Sequence, residues 1–259
     1  MKRMYGWLGA IMLTVVFCGA ELSASEPSQA EVAQIIQLAE QGDPVGQFLL
    51  GLSYDLGKGV QRDDKEAAIW YQKAADLGHA GAQFYLGSMY DDGRGVSSNP
   101  KQAAFWYSKS VAQGYVDAMV RLGILYNEGK GVPKDEKQAI TLFRQAAERG
   151  DAIAQLALAS GYDQGQGVTQ DFKQAFHWYQ KAAEQGVIDA QHNLGSMYGR
   201  GEGVTQDFVK SYAWYSVAAA NGAQQSSQAR DNAAKRLTPE QLIKGQELAA
   251  SYFEKYQPK

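Results

Sequence analysis

Few side chains in this 259-residue chain have the type and spacing that chemistry requires. There are three histidines, His79, His177 and His192, and one cysteine, Cys18. A metal site gathers His, Cys or carboxylate ligands, commonly with two histidines four apart on one helix. These three stand apart, with no cysteine or carboxylate cluster beside them. Asp63-Asp64 and Asp91-Asp92 are adjacent in sequence only, where turn and helix-capping chemistry accounts for them. Triplets such as Gly93-Arg94-Gly95 could suggest a phosphate cradle, but they lack the preceding strand and the lysine of a P-loop. No Gly-x-Ser-x-Gly elbow occurs. The residues therefore point to no catalytic group, no cofactor and no metal.

The N-terminus reads as a targeting segment. Lys2 and Arg3 precede an apolar run from Tyr5 to Cys18, and small residues follow at Cys18-Gly19-Ala20 and Leu22-Ser23-Ala24. This is the anatomy of a cleaved signal peptide, and the run is short of the roughly 20 residues a bilayer span needs. Cleavage after Ala20 or Ala24 would remove Cys18, leaving no cysteine and no disulfide in an oxidising compartment. Lipidation at Cys18 is a minority alternative, because the bulky Phe17 precedes it. No Asn-x-Ser/Thr sequon occurs, and the expected location is periplasmic or secreted. Loss of Lys2, Arg3 and Glu21 moves the formal charge from −3 to −4. With charges of both signs scattered, no basic face suits nucleic acid. No further segment approaches the length of a membrane span.

What would position any functional side chain is a repeat. The pattern A-x-x-x-L-G-x-x-Y-x-x-G-x-G-V, a polar stretch, then A-x-x-W-Y-x-x-A-A-x-x-G recurs five times at a spacing of 36 residues. Its central small residue falls at Gly51, Gly87, Gly123, Ala159 and Gly195, and its aromatic anchor at Tyr71, Tyr107, Phe143, Tyr179 and Tyr215. A fixed period of this size means stacked supersecondary units. In the second copy Ala82, Leu86, Met89 and Tyr90 form the apolar stripe of a first helix, A. Glycine inside such a helix costs about 1 kcal/mol against alanine. Its recurrence at one register calls for close approach by a second helix, B. Asp63, Asn99, Asp135, Asp171 and Asp207 are placed to cap helix B, which ends at a glycine. Gly42 marks the end of a worn helix B over 31–41, a cap with Ile35 in the aromatic slot. The Trp-Tyr pairs, flanked by alanines, read as core anchors rather than a sugar platform. Thr238-Pro239-Glu240-Gln241 opens a last helix, whose Leu242, Ile243, Leu248, Ala249 and Phe253 would seal the stack.

The Leu-Gly-x-x-Tyr centre, the G-x-G-V turn, the Trp-Tyr pair and the Ala-Ala before the final glycine resemble the Sel-1-like repeat family, relatives of the tetratricopeptide repeats. The resemblance covers residues 44–222, as 44–79, 80–115, 116–151, 152–187 and 188–222, with a signal peptide at 1–24 and capping helices at 25–43 and 223–259. It implies an all-α fold, a right-handed α/α superhelical solenoid with a concave groove lined by helices A, and roles in protein–protein interaction. A cysteine-rich branch of that family, linked to β-lactam binding, has a disulfide in each repeat. This chain has no paired cysteines.

Partner contacts are expected where helix A varies between copies, at residues three and four apart on one face. These are Leu49, Leu52 and Leu56; Tyr85, Ser88 and Asp92; Arg121, Ile124 and Glu128; Ala157, Ser160 and Gln164; and Asn193, Ser196 and Arg200. Tyr85, Arg121 and Asn193 are the expected anchors, since aromatic and arginine side chains often dominate interfaces and amides clamp extended peptides. The leading reading is a non-catalytic periplasmic adaptor that holds a peptide segment or domain of an envelope protein. The alternatives are an immunity protein against a periplasmic toxin and a secreted host-interaction factor. An enzyme acting on β-lactams or peptidoglycan comes last. Oligomeric state is left open.

Overall fold

A computed structural model describes residues 27–256 of the chain. The signal-peptide pattern of residues 1–24, Cys18 included, and residues 257–259 lie outside that span. The described residues form thirteen α-helices and no strand. They fall into two compact units: residues up to Ala82 with Arg94–Val96, and Gln83–Gly93 with Ser97 onward.

In the first unit α1 (Gln29–Glu40), α2 (Pro44–Leu56) and α3 (Asp64–Asp76) pack in chain order, α2 against both neighbours. α1 starts in a capping box. Ser28 accepts from the Glu31 N–H, while the Glu31 carboxylate accepts from the Ser28 N–H at 2.8 Å. Tyr71 of α3 is fully buried and lies across Gly51 of α2. A Cβ at Gly51 would stand 2.6 Å from its ring, so the glycine inside helix A is the seat of the aromatic anchor.

α4 (Ala80–Asp92) runs from the first unit into the second. The second unit continues with α5 (Pro100–Ala112), α6 (Val116–Glu128), α7 (Glu136–Glu148), α8 (Ala152–Gln164), α9 (Phe172–Glu184), α10 (Ile188–Arg200) and α11 (Phe208–Ala220), where α5 to α11 each pack on the next. α11 then meets both α12 (Gln224–Ala234) and α13 (Pro239–Lys255). Fully buried alanines such as Ala103, Ala118, Ala154 and Ala182 let the helices approach closely around Tyr107, Phe143 and Tyr179.

Local chemistry sets the helix ends. The side chains of Asp63, Asn99, Asp135, Asp171 and Asp207 each accept from a backbone N–H two or three residues on, at the start of α3, α5, α7, α9 and α11. Each such cap contributes about 1 kcal/mol. α2, α6, α8 and α10 end on left-handed Gly57, Gly129, Gly165 and Gly201, at φ of 68° to 74°. The architecture is an all-α solenoid of five helix pairs, with one helix before them and two after.

The C-terminal seal differs from expectation. Ile243 is 56% exposed and Phe253 is 39% exposed. Leu242, Leu248 and Ala249 are half-buried, and further contacts come from Tyr252 and Tyr256, whose ring centroids lie 4.5 and 5.5 Å from that of Trp214, and from Gly245, which seats Tyr212. The Tyr256 carbonyl also accepts from Gln191 Nε2 at 3.1 Å. α13 has 17 residues where each helix B has 13, so its apolar positions do not follow the register of the repeats.

Candidate functional site

Each A helix turns one side to its neighbours and leaves the row named from the sequence at the surface. In the first unit Leu49 and Leu52 are half-buried and Leu56 is exposed, a wholly apolar stripe. In the second unit Tyr85 and Ser88 are half-buried, and Asp92, Arg121 and Glu128 are exposed. Gln164 and Arg200 are exposed too, and Ser160, Asn193 and Ser196 are half-buried. Ile124 and Ala157 pack partly against the core, so those two slots serve the fold as well as the surface.

Within the row, Ser88 Oγ donates to Asp92 Oδ2 at 3.3 Å, and Gln164 Nε2 donates to Ser160 Oγ at 3.1 Å. The Arg200 guanidinium lies 2.9 Å from Glu202 Oε2. Tyr85 meets Phe84 edge-on at 5.3 Å. Arg121 and Asn193 make no ion pair or hydrogen bond among the described residues. The structure places Ser88, Asp92 and Arg121 within electrostatic reach of one buried group, the hydroxyl of Tyr107. It does not place Asn193 or Ser196 there.

A second network runs beneath the row. Tyr71 donates to Asp55 Oδ2 at 3.3 Å, and Tyr179 to Asp163 Oδ2 at 3.5 Å. At the same register Phe143 stands opposite Asn127, with no hydroxyl to bond. Tyr107 stands opposite Asp91, but Lys130 Nζ donates to Asp91 Oδ1 at 2.7 Å, and the Tyr107 hydroxyl has no aligned partner. Burial, reinforced by Asp91 and Asp163 respectively, holds the Tyr107 and Tyr179 hydroxyls well above the usual phenol range. Asp91 is thus an ion-pair residue in the last turn of α4, not the turn residue its sequence suggests. In the first unit Asp55 receives Arg94 Nη1 at 2.6 Å in the same way.

Sequence reasoning missed a ladder of buried amides. Gln155 and Gln191, 4% and 0% exposed, donate to the carbonyls of Ala147 and Ala183 at 3.2 and 3.3 Å. Their Oε1 atoms accept from Gln185 and Asn221, at 2.8 and 3.2 Å. Gln113 likewise donates to Gln83 at 2.8 Å. The signal was present: glutamine recurs at 47, 83, 155 and 191, one register of the repeat.

The histidines belong to packing. His79 stacks on Phe48 at 4.5 Å, and its Nδ1 accepts from the Ala82 N–H at 3.1 Å, capping α4. His192 Nδ1 lies 2.8 Å from Ser226 Oγ, but Ser226 is wholly buried, so this pair clasps α10 to α12 out of a substrate's reach. His177 is exposed on α9, edge-on to Trp178. A shallow depression of about 890 Å³ lies between Lys134–Lys137 and the turn after α8, and it contains none of the row residues. Among the described residues no three His, Cys, Asp or Glu converge on one point, and no helix is long and apolar enough to cross a membrane.

A family model described as Sel1 repeat matches five segments, residues 44–79, 80–115, 116–151, 152–187 and 188–222. Among solved structures, a Sel1 repeat protein from Oxalobacter formigenes is 32% identical over 94% of this chain and 98% of that one, with a TM-score of 0.75. A protective antigen present in uropathogenic Escherichia coli strains and displaying an SLR fold is also 32% identical, over 88% of this chain, with a TM-score of 0.62. This chain spans 57% of that antigen's length. An immunity protein from Pseudomonas aeruginosa shares 22% identity over 96% of this chain and 79% of its own, at a TM-score of 0.49, a likeness too distant to carry an argument. No curated protein matches.

Proposed function

Because this chain belongs to the Sel1 repeat family, whose members generally mediate contacts between proteins, we propose that it is a non-catalytic scaffold holding a peptide segment or domain of an envelope partner on its A-helix face. One observation carries the reading. The buried framework of each helix pair is nearly constant, while the surface row on helix A changes from leucine to tyrosine, serine, arginine, asparagine and carboxylate. A variable row on a constant framework is a surface free to be specific. The basic residues Lys2 and Arg3 ahead of an apolar run support export, and with it a periplasmic setting.

The test is photo-crosslinking in cells from a probe residue at Tyr85, and separately at Arg121, with Lys109 on α5 as the control. The same protein trapped from both A-helix positions but not from Lys109 is the expected result. Equal capture at Lys109, or none from α4 and α6, would overturn the assignment of the face.

A further inference from the structure

We infer that the outward side of α13 is a second docking surface, taking an amphipathic helix of a protein partner whose apolar stripe is bordered by lysine or arginine. It is separate from the A-helix row and does not depend on it.

α13 is divided along its length. Leu242, Gly245, Leu248, Ala249, Tyr252 and Tyr256 are buried or half-buried, on the side that seals the stack. On the other side Ile243, Gln246, Ala250 and Phe253 follow one another at steps of three, four and three residues, and all are exposed. Those steps set them in one line about 15 Å long, with the seam spacing of helices that pair side by side. Ile243 and Phe253, 56% and 39% exposed, make α13 the one helix among the described residues with two large apolar side chains in that state. A lone exposed leucine is ordinary, whereas apolar residues in line beside a charged border mark a contact surface.

The border selects the partner. Glu240, Glu247 and Glu254 recur every seven residues on the flank next to Ile243 and Ala250, and all three are exposed. A seven-residue step nearly closes two turns, so they form one acidic ridge. Thr238 donates its hydroxyl to Glu240 at 3.0 Å. Among the described residues none of the three glutamates has an ion pair, and Lys244, one turn from both Glu240 and Glu247, pairs with neither. A cationic flank on an incoming helix would complement this ridge, as flanking charges do in paired helices. The same ridge repels an acidic helix and an anionic membrane surface. It also disfavours a second copy, since two α13 helices packed antiparallel would set ridge against ridge.

The test uses the full chain and a three-heptad peptide with leucine along its seam and lysine at both flanking positions, against the same peptide with glutamate there. Fluorescence anisotropy of the labelled peptide gives the affinity, and backbone amide shifts give the place. The lysine peptide should bind saturably, shift Lys244, Glu247 and Ala250, and weaken as salt rises, while the glutamate peptide should not bind. Ile243→Ser should weaken binding about 10-fold, the worth of burying that side chain. Glu247→Lys should weaken it about 3-fold. Both variants should keep the wild-type Tm; should Ile243→Ser lower it, Glu247→Lys alone decides. No binding of the lysine peptide, equal binding of the two peptides, or affinity unchanged by Glu247→Lys would each overturn the surface. Shifts confined to α4 and α6 would give the peptide to the A-helix row instead, and a dimer that Ile243→Ser dissolves would give the face to a second copy; either sinks the proposal.

Discussion

Gln47 in the first repeat and Gln155 in the fourth occupy one register. Both are buried, and each donates from Nε2 to the alanine carbonyl eight residues back, Ala39 and Ala147. They part at the other end of the amide. Gln155 Oε1 accepts from Gln185 at 2.8 Å, while Gln47 Oε1 is buried without a donor. The residue that would supply the donor is Leu77, 58% exposed at the end of α3. The difference shows which parts of the repeat are indispensable. Tyr71, Ala74 and Ala75 around the incomplete amide are as fully buried as Tyr179, Ala182 and Ala183 around the complete one. Apolar packing therefore fixes the helix pair, and the amide adds a directional bond that one repeat can lose.

Breaking the complete amide should have the largest effect. Gln155→Leu removes the side-chain donor from the Ala147 carbonyl, which keeps the Gly150 N–H, and removes the side-chain acceptor of Gln185, at a cost of about 1–2 kcal/mol. Urea denaturation reads this directly. A loss below about 1 kcal/mol would mean the amide is as dispensable in the fourth repeat as in the first. Completing the other is the converse. Leu77→Gln should offer Gln47 its missing donor and raise stability by about 1 kcal/mol. The gain should vanish in a Gln47→Ala background, and a gain that survives there would come from removing an exposed leucine instead.

The smallest effect concerns how the A helices begin. Asp151 caps α8 by accepting from the Ala154 N–H at 2.7 Å, whereas α4 starts from an imidazole, His79. Burial holds His79 below its ordinary value of 6.5, with Asp43 opposing. The unfolded chain therefore takes up the proton first as pH falls. The contribution of His79 is complete above 6.5 and is lost below it, towards the depressed folded value. Between about pH 7 and about pH 5, the Tm of the wild type should fall more steeply than that of His79→Asn, whose amide oxygen keeps a capping acceptor. Parallel curves would show that this imidazole does not couple to folding.

What the sequence disclosed and what it withheld follow from distance along the chain. The capping Asp and Asn residues and the left-handed glycines act on backbone two to four residues away, so a local reading finds them. The central glycines were legible because they share a register with the aromatic anchors they seat. The amide ladder joins residues 30 apart, and each of its glutamines taken singly looks like a surface residue. The exposed row on helix A could be read from its variability. That Lys130 pairs with Asp91 could not, because the two stand 39 residues apart. The seal by Tyr252 and Tyr256 escaped for a different reason: α13 abandons the period on which every other inference rested.

That seal also bears on how the chain acquires its fold. The ties described within the repeats span 8, 16, 30 or 39 residues, so they close small loops and cost little chain entropy. Each helix pair can settle as soon as the next has been made, without waiting for the far end. The bond from Gln191 to the Tyr256 carbonyl spans 65 residues and needs everything from α10 to the end of α13. It sets a last, separate step: Gln191 and Trp214 stay uncovered in every nascent chain until Tyr252 and Tyr256 arrive, and a chain cut short before α13 keeps them so.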